Sequence, residues 1–343
     1  MCNRTSTRIL SWLSLLFVLA VGPACGRSEE PQSQATGSPG QWTRIEKAGK
    51  YSFRGDVAED QDLSGIACVS DRFCLLGADE SRDVQVVELS RKDKTLTILD
   101  TIPLARSGDE IDTEAIAAEG DSYYIIGSHG ISKKEGEEQG NRYSLFRLAV
   151  DRTTGKPGKP SLVETASLVN ILRADPVLGK YFGKPLQQRG VNIEGLAVRN
   201  GRLFVGLRGP NLEGKAFVLE IAAEDVFSGK PQPQYTLHKL PLGVGYGIRE
   251  IVAARSGFLI IAGNSASEPS DKYTQSMDYA ENREFLLVWW DGTSPKVHPI
   301  GPIPDVSGKA EAMTILEETP DHMDVLMLFD GPRQGRPTLY RIE

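Results

Sequence analysis

Across 343 residues the chain carries only four cysteines and four histidines, and it has no basic excess, with 39 lysines and arginines against 46 aspartates and glutamates. That balance argues against a nucleic-acid backbone as partner, because such a partner calls for a basic stripe. The sequence has no G-x-S-x-G elbow, no glycine-rich loop ending in Lys-Ser/Thr, no H-E-x-x-H and no paired C-x-x-C. The common serine-hydrolase, P-loop and zinc-protease chemistries are therefore not expected. His238 and His298 fall on predicted outer strands and His322 in a turn, a scatter that disfavours a zinc site built from histidines.

Long apolar runs are also scarce. The N-terminal one, Ile9 to Val21, is short for a bilayer span. With Arg4 and Arg8 ahead of it and small residues before Cys25, residues 1–24 read as a secretory signal. Residues 25–41 are polar and rich in Ser, Gly and Pro, the composition of a flexible tether. Cys25 at the head of this tether resembles the acylated cysteine of bacterial lipoproteins, although Gly22 and Pro23 depart from the usual cleavage box. The expected location is thus the cell envelope as a lipoprotein, or the periplasm or exterior if cleavage simply follows Ala24. Membrane contact is expected only through the lipid. Cys68 and Cys74 flank a short turn between two apolar strands, so a hairpin disulfide is expected in an exported protein.

From residue 42 onward short strands recur between turn signals, and no long helical period competes with them. Five segments share a strand-turn-strand pattern, beginning DLSGIAC at 62, DTEAIAA at 112, NIEGLAV at 192, GIREIVA at 247 and KAEAMTI at 309. Aligned on Ser64, Glu114, Glu194, Arg249 and Glu311, they repeat at steps of 50, 80, 55 and 62 residues. Such periods fit propeller blades of four strands. The last unit has one strand too few, and Trp42 to Phe53 can supply it. The expectation is an all-β, five-bladed β-propeller over residues 42–343, closed by an N-terminal strand. The excess in the 80-residue step, Ser167 to Gly190, reads as a short helix and ordered loop; a six-bladed ring is the alternative.

The first strand of a propeller blade borders the central channel, which gives Ser64, Glu114, Glu194, Arg249 and Glu311 a common place there. Three carboxylates in a confined channel need a counter-charge. Either a hard cation such as Ca²⁺ supplies it, held by Ser64, Glu114, Glu194 and Glu311, or Arg249 does. At the end of the next strand in each unit stand Asp79 with Glu80, His129, Arg208, Asn264 and Asp330, which the fold would gather at the channel mouth. Of these, His129, Arg208, Asp79 and Asp330 are the candidate catalytic groups, with His129 as base and Arg208 as anion binder. Glu80, Asn264 and Arg249 are candidate ligand-binding groups.

The phrases DTEAIA, NIEGLAV with LRGP, and GIREI resemble a bacterial propeller family known only as a domain of unknown function, over nearly all of Asp62 to Asp330. That likeness implies a propeller and no particular activity. A more distant one is to five-bladed, calcium-dependent nucleotidases of the apyrase type, whose central ion lies among inner-strand serines and glutamates. Ser64, Glu114, Glu194 and Glu311 match that arrangement, while Arg249 stands where a serine would be expected. Two functions follow as expectations: a phosphoester or related ester hydrolase, calcium-dependent if the ring holds that ion, or a non-catalytic monomeric module binding a small anionic ligand or an envelope protein.

Overall fold

Strand-forming residues alternating between two burial directions build five small sheets in the computed structural model, which describes residues 42–104, 110–132, 136–157 and 163–343. The expected signal peptide, the tether and Cys25 lie outside the described residues. Two strands open the described chain, β1 (Ile45–Lys50) and β2 (Ser52–Arg54). Blade 1 consists of β3 (Leu63–Cys68), β4 (Phe73–Ala78), β5 (Asp83–Ser90) and β6 (Thr95–Pro103). Blade 2 follows with β7 (Thr113–Glu119), β8 (Ser122–Gly127), β9 (Leu145–Ala149) and β10 (Val163–Ala166). Blade 3 comprises β11 (Asn192–Arg199), β12 (Arg202–Leu212), β13 (Lys215–Ala222) and β14 (Tyr235–Leu240). Blade 4 holds β15 (Tyr246–Ala254), β16 (Gly257–Asn264), β17 (Leu286–Trp290) and β18 (Val297–Pro302). Blade 5 has β19 (Lys309–Glu318), β20 (Met323–Asp330) and β21 (Thr338–Ile342).

Blade 5 takes its fourth strand from the start of the domain. β1 pairs antiparallel with β21, from Ile45 opposite Ile342 to Lys50 opposite Thr338. The edge of β21 is thereby covered and the ring closed. A second early segment, β2, adds in parallel to the outer edge of β6 and makes blade 1 five-stranded. The sequence pattern gives no hint of it, because three residues are too few to show an alternation.

Five hydrophobic cores separate the blades, one at each junction around the ring. Period two explains how one strand serves two of them. In β16, Leu259 and Ile261 enter the core shared with blade 5, while Phe258, Ile260 and Ala262 enter the core shared with blade 3. The adjacent Trp289 and Trp290 divide likewise. Trp289 meets Trp42 edge-on with centroids 5.4 Å apart, and Trp290 stacks on Phe258 at 5.3 Å. Both tryptophans are inter-blade packing.

The long step between units 2 and 3 contains α1 (Val169–Ala174) and two single 3-10 turns, Leu178–Lys180 and Leu186–Gln188. Leu168, Leu172 and Leu178 from this excursion fill the wedge between blades 2 and 3. Asp175 holds its shape by accepting the Val177 and Leu178 N–H groups, each at 2.8 Å. Cys68 and Cys74 face each other across the β3–β4 hairpin and form a disulfide. Among the described residues no helix is long and apolar enough to cross a membrane.

Candidate functional site at the channel mouth

In every blade the pairing of the first strand with the second slips at the same place. The register breaks between Leu63 and Gly65, Thr113 and Ala115, Ile193 and Gly195, Ile248 and Glu250, and Ala310 and Ala312. The residue left over at each break is Ser64, Glu114, Glu194, Arg249 or Glu311. A bulge frees its extra residue from the strict alternation of the strand and re-aims the side chain. This is why an otherwise apolar inner strand carries a charged residue here. All five are buried.

Arg249 dominates the ring they form. Its guanidinium pairs with Glu311 and approaches Glu194, Nε lying 2.8 Å from Oε2 without hydrogen-bond alignment. Gly263 on the facing strand makes room for it, since a Cβ added there would come within 2.9 Å of the Arg249 Cγ. Glu194 also accepts from Arg208 NH1 at 2.7 Å. Burial pushes the Arg249 pKa down to about 10, helped by the like charge of Arg208 and opposed by the carboxylates of Glu194, Glu114 and Asp330. The side chain remains a cation at neutral pH. Ser64 donates its hydroxyl proton to the carbonyl of Thr113 on the neighbouring blade.

Next to Arg249, Glu250 is buried at a position that the other inner strands fill with Gly65, Ala115, Gly195 and Ala312. Burial raises its pKa well above the ordinary carboxylate range, against the N–H groups of Ile251 and Leu196. The sequence reading passed over it, although a glutamate among four small residues at one register was visible in the alignment. Beyond the ring the channel continues as a cavity of about 140 Å³ lined by small and apolar residues, including Ala67, Ala117 and Ala197.

At the opposite end from that cavity lies the mouth, where the ends of the second strands meet the starts of the first: Ala78 is opposite Leu63, Asn264 opposite Tyr246 and Asp330 opposite Lys309. A pocket of about 400 Å³ opens here, and Arg208, Asn264 and Arg249 all line it. Arg283 and Lys309 add two further cations, and the exposed Glu268 and Glu281 two carboxylates. Arg208 is fixed by carbonyls as well as by Glu194, donating from Nε to Asn264 at 3.1 Å and from NH2 to Ala266 at 2.9 Å. The Asn264 side chain pins the loop that walls the pocket, exchanging hydrogen bonds with the Ala280 backbone and accepting from Arg283 Nε at 2.8 Å. Among the described residues Arg283 meets only neutral acceptors in its hydrogen bonds, namely the Asn264 amide oxygen and the Val244 and Asp278 carbonyls.

The remaining candidates take other roles. His129 is fully buried, with Nδ1 donating to the Gly127 carbonyl at 2.9 Å and Nε2 accepting the Leu168 N–H at 3.1 Å. Both ring nitrogens are thereby engaged with main chain, and burial lowers its pKa to about 4. It ties the β8 terminus to the excursion before α1 and offers neither a lone pair nor a proton to a substrate. Asp330 pairs with Lys309. Glu80 lies with Glu59 and Asp62 in a triplet whose carboxylate oxygens are within 4.8 Å of one another, close enough for a cation. Burial, then Glu80 and Asp330, raise the Asp62 pKa. Asp79 donates its N–H to the Asp62 carbonyl and so belongs to this acidic side of the mouth. Asp112 turns instead to Arg142, whose NH1 is 3.0 Å from its carboxylate.

Gln187 and Ser267 also line the pocket, and the sequence reading missed both. They lie in connections outside the repeated strand pairs, where an alignment of units has nothing to compare.

No curated protein matches the sequence. Among solved structures, a structural genomics protein of unknown function from Bacteroides thetaiotaomicron VPI-5482 is 11% identical, over 87% of this chain and 76% of its own, with a TM-score of 0.38. A luciferin-regenerating enzyme is 10% identical over 87% of this chain and 94% of its own, with a TM-score of 0.36. The U3-55K structure is 10% identical over 82% and 67%, with a TM-score of 0.35. Likeness at this distance carries no functional argument. The family match is of another kind, because it spans residues 62–156 and 160–340 and so takes in the inner strands of all five blades. The chain belongs to the family described as protein of unknown function, DUF3616.

Proposed function

We propose that this propeller is an exported, non-catalytic binding module that holds a small anionic ligand in the pocket at the channel mouth. The observation carrying this reading is the distribution of charge in that pocket. Its buried wall presents Arg208 and Arg249, which share the carboxylates of Glu194 and Glu311; Arg283 is hydrogen-bonded by neutral acceptors and keeps its charge for a ligand, and the two lining carboxylates stand at the exposed edge. Volumes of a few hundred Å³ with a few convergent polar groups suit small molecules. A hydrolytic reading would have to take its base from a carboxylate of the mouth, since His129 is engaged on both nitrogens. The Cys68–Cys74 disulfide is compatible with an oxidising compartment.

The same proposal makes Arg249 the counter-charge of the ring. Its support is the pairing of Arg249 with Glu194 and Glu311, the carboxylates that a calcium ion would need. A divalent ion beside them would lie against a buried guanidinium, so the donor set does not fit one.

Calorimetric titration with a panel of small carboxylates and phosphate esters tests the binding reading. Saturable binding is expected, weakened about threefold to tenfold by Lys309→Ala at low salt and screened at high salt. No binding by any member, or binding indifferent to both salt and Lys309, would sink it.

A further inference from the structure

Two side chains in the wall of this pocket bury hydrogen-bonding atoms that no group among the described residues satisfies. Gln187 is 2% exposed and Ser267 6%. The Gln187 amide has a defined orientation, because Nε2 donates to the Glu268 carbonyl at 3.1 Å. A flipped amide would set two oxygens against each other. Oε1 is thus the free atom, an acceptor without a donor. Ser267 uses its carbonyl, which accepts from the Ser276 hydroxyl at 2.5 Å, but its own Oγ has no partner. Buried polar atoms are normally satisfied, and those that are not call for an explanation. Here both residues line one pocket, together with the guanidinium wall of Arg208 and Arg249.

We infer that the ligand of this pocket is a polyhydroxylated acid: one hydroxyl donates to Gln187 Oε1, a second exchanges a hydrogen bond with Ser267 Oγ, and the acidic group faces the guanidinium side. The inference rests on the reading of the pocket as an anion site and adds the ligand's class. A hydroxyl suits both orphaned atoms, since Gln187 Oε1 only accepts while a serine hydroxyl donates or accepts. Tyr279 and Phe285 line the same pocket and give the carbon face of a sugar ring an apolar flank.

The test uses the full-length protein and four probes of one ring size. Glucuronate carries hydroxyls and a carboxylate, glucose 1-phosphate hydroxyls and a phosphate, cyclohexanecarboxylate the charge alone, and myo-inositol the hydroxyls alone. By calorimetry, the tighter of the two sugar acids should bind at least about tenfold better than either single-feature probe, and its identity names the acidic group. Ser267→Ala should weaken that binding about fivefold to tenfold without lowering the melting temperature, because the hydroxyl it removes has no internal partner. Gln187→Leu should weaken it too, and its folding is checked by the same melt. Cyclohexanecarboxylate binding as tightly as the sugar acids would overturn the inference and leave the anion reading standing. Failure of every acid would remove both. A marked drop in melting temperature for Ser267→Ala would show that its hydroxyl is used within the fold, which also overturns the inference.

Discussion

At the scale of single residues, the two most suggestive side chains in the sequence exchange significance once packing is known. His129 has the chemistry of a general base but spends both nitrogens on the backbone, whereas Arg249, which interrupts a run of glutamates, organises the ring. The buried histidine leaves a pH signature. Its folded pKa of about 4 lies below the unfolded value of roughly 6.5, so its contribution to stability is fully present above the unfolded value and is lost as pH falls through the folded one. The loss should approach about 3 kcal/mol by order of magnitude. Denaturant unfolding of the wild type between pH 8 and 4 should show it, and His129→Gln, less stable at pH 8, should have a flatter profile across that window. Parallel profiles would mean that His129 is not held neutral.

At the scale of elements, the repeat was legible because strand-turn-strand recurs with an inward polar residue at a fixed place. What the pattern could not reveal is the bulge. A strand of strict period two would put Asp112 and Glu114 on one face. Instead Asp112 has a left-handed backbone, with φ of 56°, just ahead of β7, and Glu114 sits at the register break. Two departures from extended geometry within three residues send the Asp112 carboxylate to Arg142 while Glu114 acts on the charge of Arg249. Closure by β1 was legible for a different reason: a blade one strand short leaves an edge that something must cover. Beginning the domain at Tyr51 would remove β1 and uncover β21. Such a protein should be recovered as soluble aggregate by size-exclusion chromatography, whereas the chain from Trp42 should elute as a monomer; equal monomer yields would show that β1 is dispensable. The connection between units 2 and 3 was legible as a short helix and ordered loop, but nothing in the repeat singles out side chains in the connections, Gln187 and Ser267 among them.

At the scale of the whole molecule, five units distant in sequence close around an axis where Ser64, Glu114, Glu194, Arg249 and Glu311 converge. The arrangement puts a fixed cation among carboxylates below a pocket rich in guanidinium groups. Breaking a buried pair by deleting one partner typically costs about 3–5 kcal/mol, so Arg249→Met should be far less stable than the wild type. A ring that depended on calcium would behave otherwise. An ion bound only by the native state adds about 2.7 kcal/mol at a hundredfold excess over its dissociation constant, and a chelator takes that away. Thermal melting of the wild-type protein in millimolar Ca²⁺ and in EDTA, with Arg249→Met alongside, is therefore the most direct measurement. Coincident wild-type curves under both conditions, with a much lower melting temperature for the variant, are the predicted result; a wild-type curve that rises by several degrees with Ca²⁺ and falls with EDTA would contradict the account.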